Sequence, residues 1–375
     1  MTPLKGVTVL DLGIITAGAA TSALLADLGA DVIKIESPTY KDPFRIWVSS
    51  SPQDRDKLSP HFGATNRGKK ALAVNLKEPE GRDCFLRLVA RADVVVENFR
   101  RGVLDKLGIG FEALKAANPR VVLASISSQG ETGPDAMHVS YGSTLECVAG
   151  MAWLLGYDDG RPTVSGVDLN YPDQVAAIFA AGMIVSAVHA VENGAEAVHL
   201  DLSQRELTSF MIGDSFANPE AVPARGNADP RFALQDCLKA ADGRWVALSV
   251  READAVAHPH VGTPTAAAEW IAARPADEAV DALTAAGIAA AVAATGVEIL
   301  DAKPWSTAMI ETPDGAILKG TPFDIGTPHA DLVAPVFGGD TVEVLERLGG
   351  YSREEIRTLI ERGIVAAPET AEAAE

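Results

Sequence analysis

Apolar residues open the chain in two short runs, 7–12 and 31–36, and the stretch between them, 19–28, has the composition of a helix. Strand, helix and strand in that order form a β-α-β unit, which implies a right-handed crossover and a parallel sheet. The alternation continues, with helices predicted over 80–90 and 111–117 and strands over 93–97 and 120–125. The repeated pattern predicts a doubly wound α/β domain.

A longer apolar run, 175–191, follows Asn170-Tyr171-Pro172-Asp173 and stops at Asn193-Gly194, a C-cap signal, so it predicts a helix of several turns. A strand over 197–202 and a helix from Gln204 complete a first domain, 1–215. Pro219, Pro223 and Pro230, with Gly226 and Asn227, then read as a linker. Runs 236–240 and 244–250 flank Ala241-Asp242-Gly243 as a hairpin, and alanine-rich helices are predicted over 264–273 and 277–286. This block, 225–310, reads as a smaller second domain. Residues 311–365 show weak periodicity until two short helices, 340–348 and 352–361, and the Ala/Glu-rich segment 366–375 reads as a disordered tail.

Composition narrows the function. With 375 residues and 47% hydrophobic content, the chain has ample material for large cores. No run of about 18 residues is free of interrupting polar groups, and no signal segment opens the chain, so a cytoplasmic protein without a membrane span is expected. The net charge of −19 argues against nucleic-acid binding, which depends on neutralising phosphates. Basic residues nevertheless concentrate before Arg120, in Arg67-Gly68-Lys69-Lys70 and Arg100-Arg101, and such a local patch suits a small polyanion. Three well-separated cysteines, Cys84, Cys147 and Cys237, support neither a disulfide framework nor a zinc knuckle. His258-Pro259-His260 lacks further close ligands, so no metal is implied.

Two motifs bear on chemistry. The turn Gly13-Ile14-Ile15-Thr16-Ala17-Gly18 follows the first strand but lacks the paired glycines of a dinucleotide fingerprint, so a dehydrogenase is not supported. Asp173 stands at the start of the long helix, where unpaired N–H groups and the positive dipole end keep a carboxylate ionised. An aspartate there is either a favoured N-cap or a nucleophile.

Taken together the residues resemble the family III CoA-transferases, the group that includes formyl-CoA transferase, carnitine CoA-transferase and α-methylacyl-CoA racemase. The resemblance is carried by Val7-Thr8-Val9-Leu10-Asp11-Leu12 through Ala26-Asp27-Leu28-Gly29-Ala30-Asp31, by Asn66-Arg67-Gly68-Lys69-Lys70, and by Val96-Glu97-Asn98-Phe99 with Gly102-Val103-Leu104. Gly130-Glu131-Thr132-Gly133-Pro134 and Tyr171-Pro172-Asp173 to Asp201-Leu202-Ser203-Gln204 complete it, while the C-terminal third matches loosely, through Gly320-Thr321-Pro322-Phe323.

The resemblance implies a Rossmann-like large domain built from both termini, with 311–365 returning to it, a smaller inserted domain, and an interlocked homodimer. It implies coenzyme A or acyl-CoA as substrate, with no tightly bound cofactor, and a carboxylic acid as acceptor. Asp173 falls on the catalytic aspartate. Ile15 and Ala17 would border the adenine, Lys69 would approach the CoA phosphates, and Asn98 and Phe99 would lie along the pantetheine or nucleotide path. Lys106 stands where formyl-CoA transferase has an arginine, and Gly142 where it has a glutamate. In the racemase branch a histidine holds the place of Met137 here, with His138 one step later. An acid–base racemase using Asp173 and His138, and a non-catalytic acyl-CoA-binding protein, are the alternative expectations.

Overall fold

The computed structural model describes residues 2–46, 59–157, 159–166, 170–217, 226–301, 309–311, 317–320 and 333–368. Pro219 and Pro223 of the expected linker, Thr321-Pro322-Phe323 and residues 369–375 of the expected tail lie outside them.

The chain divides into two compact units. The larger comprises Met1–Ala149, Gly166–Gly213 and Thr307–Glu375; the smaller comprises Gly150–Ser165 and Asp214–Ser306. The excursion Gly150–Ser165 into the smaller unit interrupts the stretch expected to form one domain over 1–215, and nothing in its hydrophobic pattern marks the crossing.

In the larger unit six parallel strands, β1 (Thr8–Asp11), β2 (Asp31–Glu36), β3 (Lys70–Val74), β4 (Val94–Glu97), β5 (Val122–Ser125) and β6 (Val198–Asp201), lie in the order β3-β2-β1-β4-β5-β6. The expected α/β class is therefore present, and the strand order reverses between β1 and β4. Open α/β sheets bind ligands at that switch point, beyond the carboxyl ends of the strands.

In the smaller unit β7 (Leu234–Lys239), β8 (Trp245–Val250) and β9 (Ala289–Val292) form an antiparallel sheet. The helices Pro264–Ala272 and Ala276–Ala285 contribute Ala267, Ile271, Ala279 and Leu283 to the same core. Returning to the larger unit, β10 (Met309–Glu311) and β11 (Ile317–Lys319) pair antiparallel, and β12 (Val365–Ala366) pairs antiparallel with β3. Ala366, expected to open the tail, is thus a strand residue: Ala73 gives it a ladder partner that its own Ala/Glu-rich neighbourhood does not suggest.

Side-chain alternation divides the large sheet's two faces. Leu10, Ile33, Leu72, Val95 and Leu123 point to one core, which they share with Phe85, Leu88, Leu345 and Ile356. Val9, Val32, Val94, Val96 and Val122 point to the other, shared with Leu25, Ala176, Ala180 and Ile184. Strands buried on both faces read as continuous apolar runs, which is why β1, β2, β4 and β5 were visible in the sequence.

Two helices built of small residues cover the second face. The first helix, Ala17–Asp27, and the long helix, Tyr171–Glu192, expose little bulk to one another, so their backbones approach closely over Ala17, Ala176 and Ala180. By length and composition the long helix could cross a membrane, with a mean hydropathy of 1.9, contrary to the expectation that no segment would. Its apolar positions run around the whole helix: Ala176, Ala180 and Ile184 are buried on the sheet, whereas Ile178 and Met183 are exposed.

Candidate active site

Asp11, Lys34 and Lys69 have fully buried side chains beneath the carboxyl end of β1. Lys69 Nζ donates to Asp11 Oδ2 at 2.7 Å, to the Ala19 carbonyl at 2.8 Å and to Asn66 Oδ1 at 2.9 Å. An ammonium has three donors, and all are used. Burial pushes Lys69 down to about 8, despite the attraction of Asp11. Lys69, expected at the CoA phosphates, therefore holds up the turn from below.

Three more residues of the basic patch are drawn to acidic partners. Arg67 is buried and donates from Nε to Asp27 Oδ1 at 3.1 Å, Lys70 reaches Glu343 at 2.9 Å, and Arg101 lies 3.7 Å from Glu131. Positions adjacent in sequence have acidic partners far along the chain, which no local reading reveals.

Above this network the turn from Gly13 to Ala17 is pinned residue by residue. Gly13 donates its N–H to Asp11 Oδ1 at 2.8 Å, and its carbonyl accepts from Lys34 Nζ. Ile14 donates to Asn98 Oδ1 at 2.8 Å, and Asn98 Nδ2 donates back to the Ile14 carbonyl at 3.0 Å. Ile15, at φ +59°, donates to both oxygens of Asp42, at 3.2 and 3.3 Å. Lys34 Nζ lies 2.8 Å from Asp42 Oδ2. Burial opposes the charge on Lys34, but Asp42, Asp11 and Glu36 together outweigh it and hold the ammonium above the ordinary lysine range.

The turn also demands its glycines. A Cβ on Gly13 would fall 2.5 Å from the carbonyl carbon of Gly18, and a Cβ on Gly18 would fall 2.7 Å from Gly13 Cα. The two ends of the turn touch through their bare backbones, delivering Ala17 to the start of the first helix.

Asp173 meets that helix start. It is the third residue of Tyr171–Glu192; the cap position belongs to Asn170, which has left-handed backbone and makes no side-chain capping bond. The expected N-cap alternative for Asp173 is thereby excluded by position. The backbone N–H groups of Asp173 itself and of Ala17 favour the ionised form. Burial outweighs them and pushes the carboxyl up to about 6, although part of the residue remains open to solvent. The arrangement is a partly exposed carboxylate in the first turn of a helix, where unpaired backbone N–H donors gather. Such a group can attack an electrophilic carbonyl, and the same donors can meet the negative oxygen that develops.

Of the residues expected to bind CoA, Ile15, Ala17 and Asn98 converge on this turn, Ile15 packing on Phe44 and Phe62. Phe99 packs with the core on the sheet face opposite to Ala17. Lys106 is exposed at the end of the short helix Val103–Lys106, and no bond among the described residues ties it to the turn. His138 is exposed and lies 3.4 Å from Asp135, and its carbonyl accepts from Ser128, so its ring is engaged away from the turn.

Sequence reading missed Lys34, Asp42, Gln174 and Lys319. Lys34 is legible in retrospect as a lone charge inside the apolar run Val32-Ile33-Lys34-Ile35. Lys319 donates from Nζ to Gln174 Oε1, beside Asp173, and is pushed down to about 8 by desolvation and by Arg67; no sequence pattern signals this pairing.

A cavity of about 230 Å³ in the same unit is lined by Glu97, Arg100, Ser125, Glu131 and His199, among others, but not by Asp173. Burial pushes Glu97 up to about 7, against a hydrogen bond from the Phe99 N–H at 2.7 Å.

The chain is similar to a succinate–glutarate CoA-transferase of Agrobacterium fabrum, 36% identical over 251 residues that cover 64% of this chain and 62% of the relative. It is similar to an acetyl-CoA:oxalate CoA-transferase of Acetobacter aceti, 36% identical over 249 residues that cover 65% and 62%. The chain thus spans less than two thirds of the length of these relatives. Among solved structures, a CaiB/BaiF family protein of Brucella suis superposes with a TM-score of 0.81 at 26% identity, covering 92% of this chain and 99% of that one. The pattern describing CoA-transferase family III matches residues 4–341, and on that extent of agreement the chain belongs to CoA-transferase family III.

Proposed function

We propose that this enzyme moves coenzyme A from an acyl-CoA donor to a carboxylic acid, with Asp173 as the nucleophile. The observation that carries the reading is the Asp173 carboxylate itself, third in its helix, partly open, and flanked by the bare backbone of Gly142.

In the first step a carboxylate oxygen of Asp173 attacks the thioester carbonyl, the carbon–sulfur bond breaks, and CoA thiolate leaves a mixed anhydride. The thiolate then attacks the aspartyl carbonyl, releasing the donor acid and leaving an aspartyl-CoA thioester. The acceptor carboxylate attacks that thioester, giving a second anhydride and free thiolate. Attack of the thiolate on the acceptor's carbonyl yields the new acyl-CoA and restores Asp173. No net proton is consumed, so the site needs backbone donors for the tetrahedral oxyanions more than it needs an acid.

The names of the relatives make short dicarboxylic acids such as succinate, glutarate and oxalate the first acceptors to test. A homodimer is part of the same proposal, on the strength of the family resemblance.

The decisive experiment pairs acyl-CoA donors with a library of acids and follows the products by mass spectrometry. Wild-type enzyme incubated with acyl-CoA should be trapped by hydroxylamine as an Asp173 hydroxamate, and Asp173→Ala should abolish exchange. Undiminished exchange by the alanine variant would reject the assignment. CoA binding without turnover across the library would favour a binding protein.

A further inference from the structure

We propose that Lys319 is a specificity-determining residue: its ammonium takes up the far carboxylate of a dicarboxylic acid while the near carboxylate, or its thioester, meets Asp173. This rests on the reading of Asp173 as the reacting group and narrows the transferred acid to the dicarboxylic class.

The strand β11 sets the lysine's place. Its middle residue, Leu318, is buried against the helix Pro60–Asn66, where a Cβ on Gly63 would fall 3.2 Å from Leu318 Cδ1, so the bare glycine lets strand and helix lie close. Side chains alternate along a strand, which turns Lys319 to the other side. There its Nζ donates to Gln174 Oε1. Gln174 lies in the first turn of the long helix, its N–H donating to the Asn170 carbonyl at 3.2 Å. It follows Asp173 directly, so the two α-carbons are about 3.8 Å apart. The ammonium is thus held on the residue next to the reacting carboxylate.

Charge distinguishes Lys319 from the other cations of this unit. Arg67, Lys69, Lys70 and Arg101 each pair with a carboxylate, whereas among the described residues no carboxylate pairs with Lys319. An ammonium carries three donors, and here one is spent on a neutral amide, leaving two for an incoming anion. Desolvation, with Arg67 as a second cation, pushes Lys319 down to about 8, so at neutral pH the charge is present and lacks a counter-ion. The residue is exposed, so an anion can reach it. A carboxylate brought there forms a charge-assisted hydrogen bond and relieves the repulsion from Arg67. The phosphates of CoA are a poorer match, because the sulfur must come to Asp173 and the phosphates lie at the opposite end of the pantetheine arm. A short diacid, by contrast, carries its second carboxylate only a few carbons from the first.

The test titrates Lys319 by carbon-13 NMR of lysine-labelled enzyme, its signal identified by its absence in Lys319→Gln. Alongside, kcat/KM is measured for succinate and for butyrate, which has the same chain length and lacks the second carboxylate. With CoA and succinate together the Lys319 titration should rise by about one pH unit or more over CoA alone, and CoA with butyrate should leave it in place. Lys319→Gln should lower the succinate-to-butyrate ratio of kcat/KM by about tenfold or more, mainly through KM for succinate, and Lys319→Arg should keep the ratio within about threefold of wild type. A rise with CoA alone would overturn the proposal and give the lysine to a phosphate. A titration that succinate leaves unmoved, or an unchanged ratio in Lys319→Gln, would overturn it as well. Should Lys319→Gln fail to fold, Lys319→Arg identifies the signal and the titration decides. The titration needs no turnover: if Asp173→Ala retains exchange, the catalytic reading fails, while Lys319 is still judged by whether succinate moves it.

Discussion

Gly142 and Asp173 face each other closely enough that a methyl group on Gly142 would stand 3.4 Å from Asp173 Oδ2. The same methyl would stand 2.9 Å from Asn170 Oδ1 and 3.1 Å from Asn170 Cα. Gly142 begins the helix Gly142–Val148, and its bare backbone leaves the carboxylate's flank open. Gly142→Val should therefore displace the first turn of the long helix and lower kcat by at least about tenfold, since small misplacements of a reacting group are costly. Steady-state kinetics, with circular dichroism to verify folding, tests this; wild-type turnover in the valine variant would show that the flank is not used.

The pH dependence of exchange follows from Asp173. Its carboxyl is pushed up to about 6 by burial, and only the ionised form attacks, so the rate should rise through pH 6 and level off above pH 7. At pH 5 it should be roughly tenfold below the plateau. A pH–rate profile of kcat for chemistry-limited substrates provides the check, and a profile flat from pH 4.5 to 8 would contradict it.

Stability should show a related signature from Glu97, which burial pushes up to about 7 from 4.5. A carboxyl raised in the folded state contributes stability that is fully present below the unfolded pKa and lost as pH rises through the folded one. Wild type should weaken between pH 4.5 and 7, and Glu97→Gln should remove that slope, gaining roughly 2–3 kcal/mol over wild type at pH 8. Urea midpoints for the two proteins at pH 5 and pH 8 decide it; parallel curves would place the glutamate in a more polar setting.

Lys69 offers the sharpest contrast between sequence and structure. Its removal leaves Asp11 buried without a counter-ion, so Lys69→Met should cost roughly 3–5 kcal/mol of folding stability. A variant with unchanged thermal stability but weakened CoA binding would return the lysine to the phosphates.

Much of the larger unit was legible because a parallel sheet buried on both faces writes its strands as apolar runs. The ends of β1, β2, β4 and β5 lie within two residues of the expected ones. β3 escaped because Lys70-Ala71-Leu72-Ala73-Val74 is short and lies beside the basic cluster that drew a functional reading. β12 escaped because two residues carry no period, and its strand character comes from β3 alone. Asp173 was legible from Tyr171-Pro172-Asp173 before an apolar run, although its true place, two residues inside the helix, depends on where the backbone first turns.

The sequence by itself determined the α/β alternation, the long small-residue helix and the aspartate at its start, because hydrophobic period and helix-end chemistry are local properties. Tertiary structure alone decided what each charge does. Lys34, Lys69 and Arg67 meet Asp42, Asp11 and Asp27 across 8, 58 and 40 residues of chain, and Asn98 meets Ile14 across 84. A buried charge or amide takes its role from whichever partner the fold brings to it, since leaving it unpaired in a low-dielectric interior is prohibitive, and that partner is not written next to it.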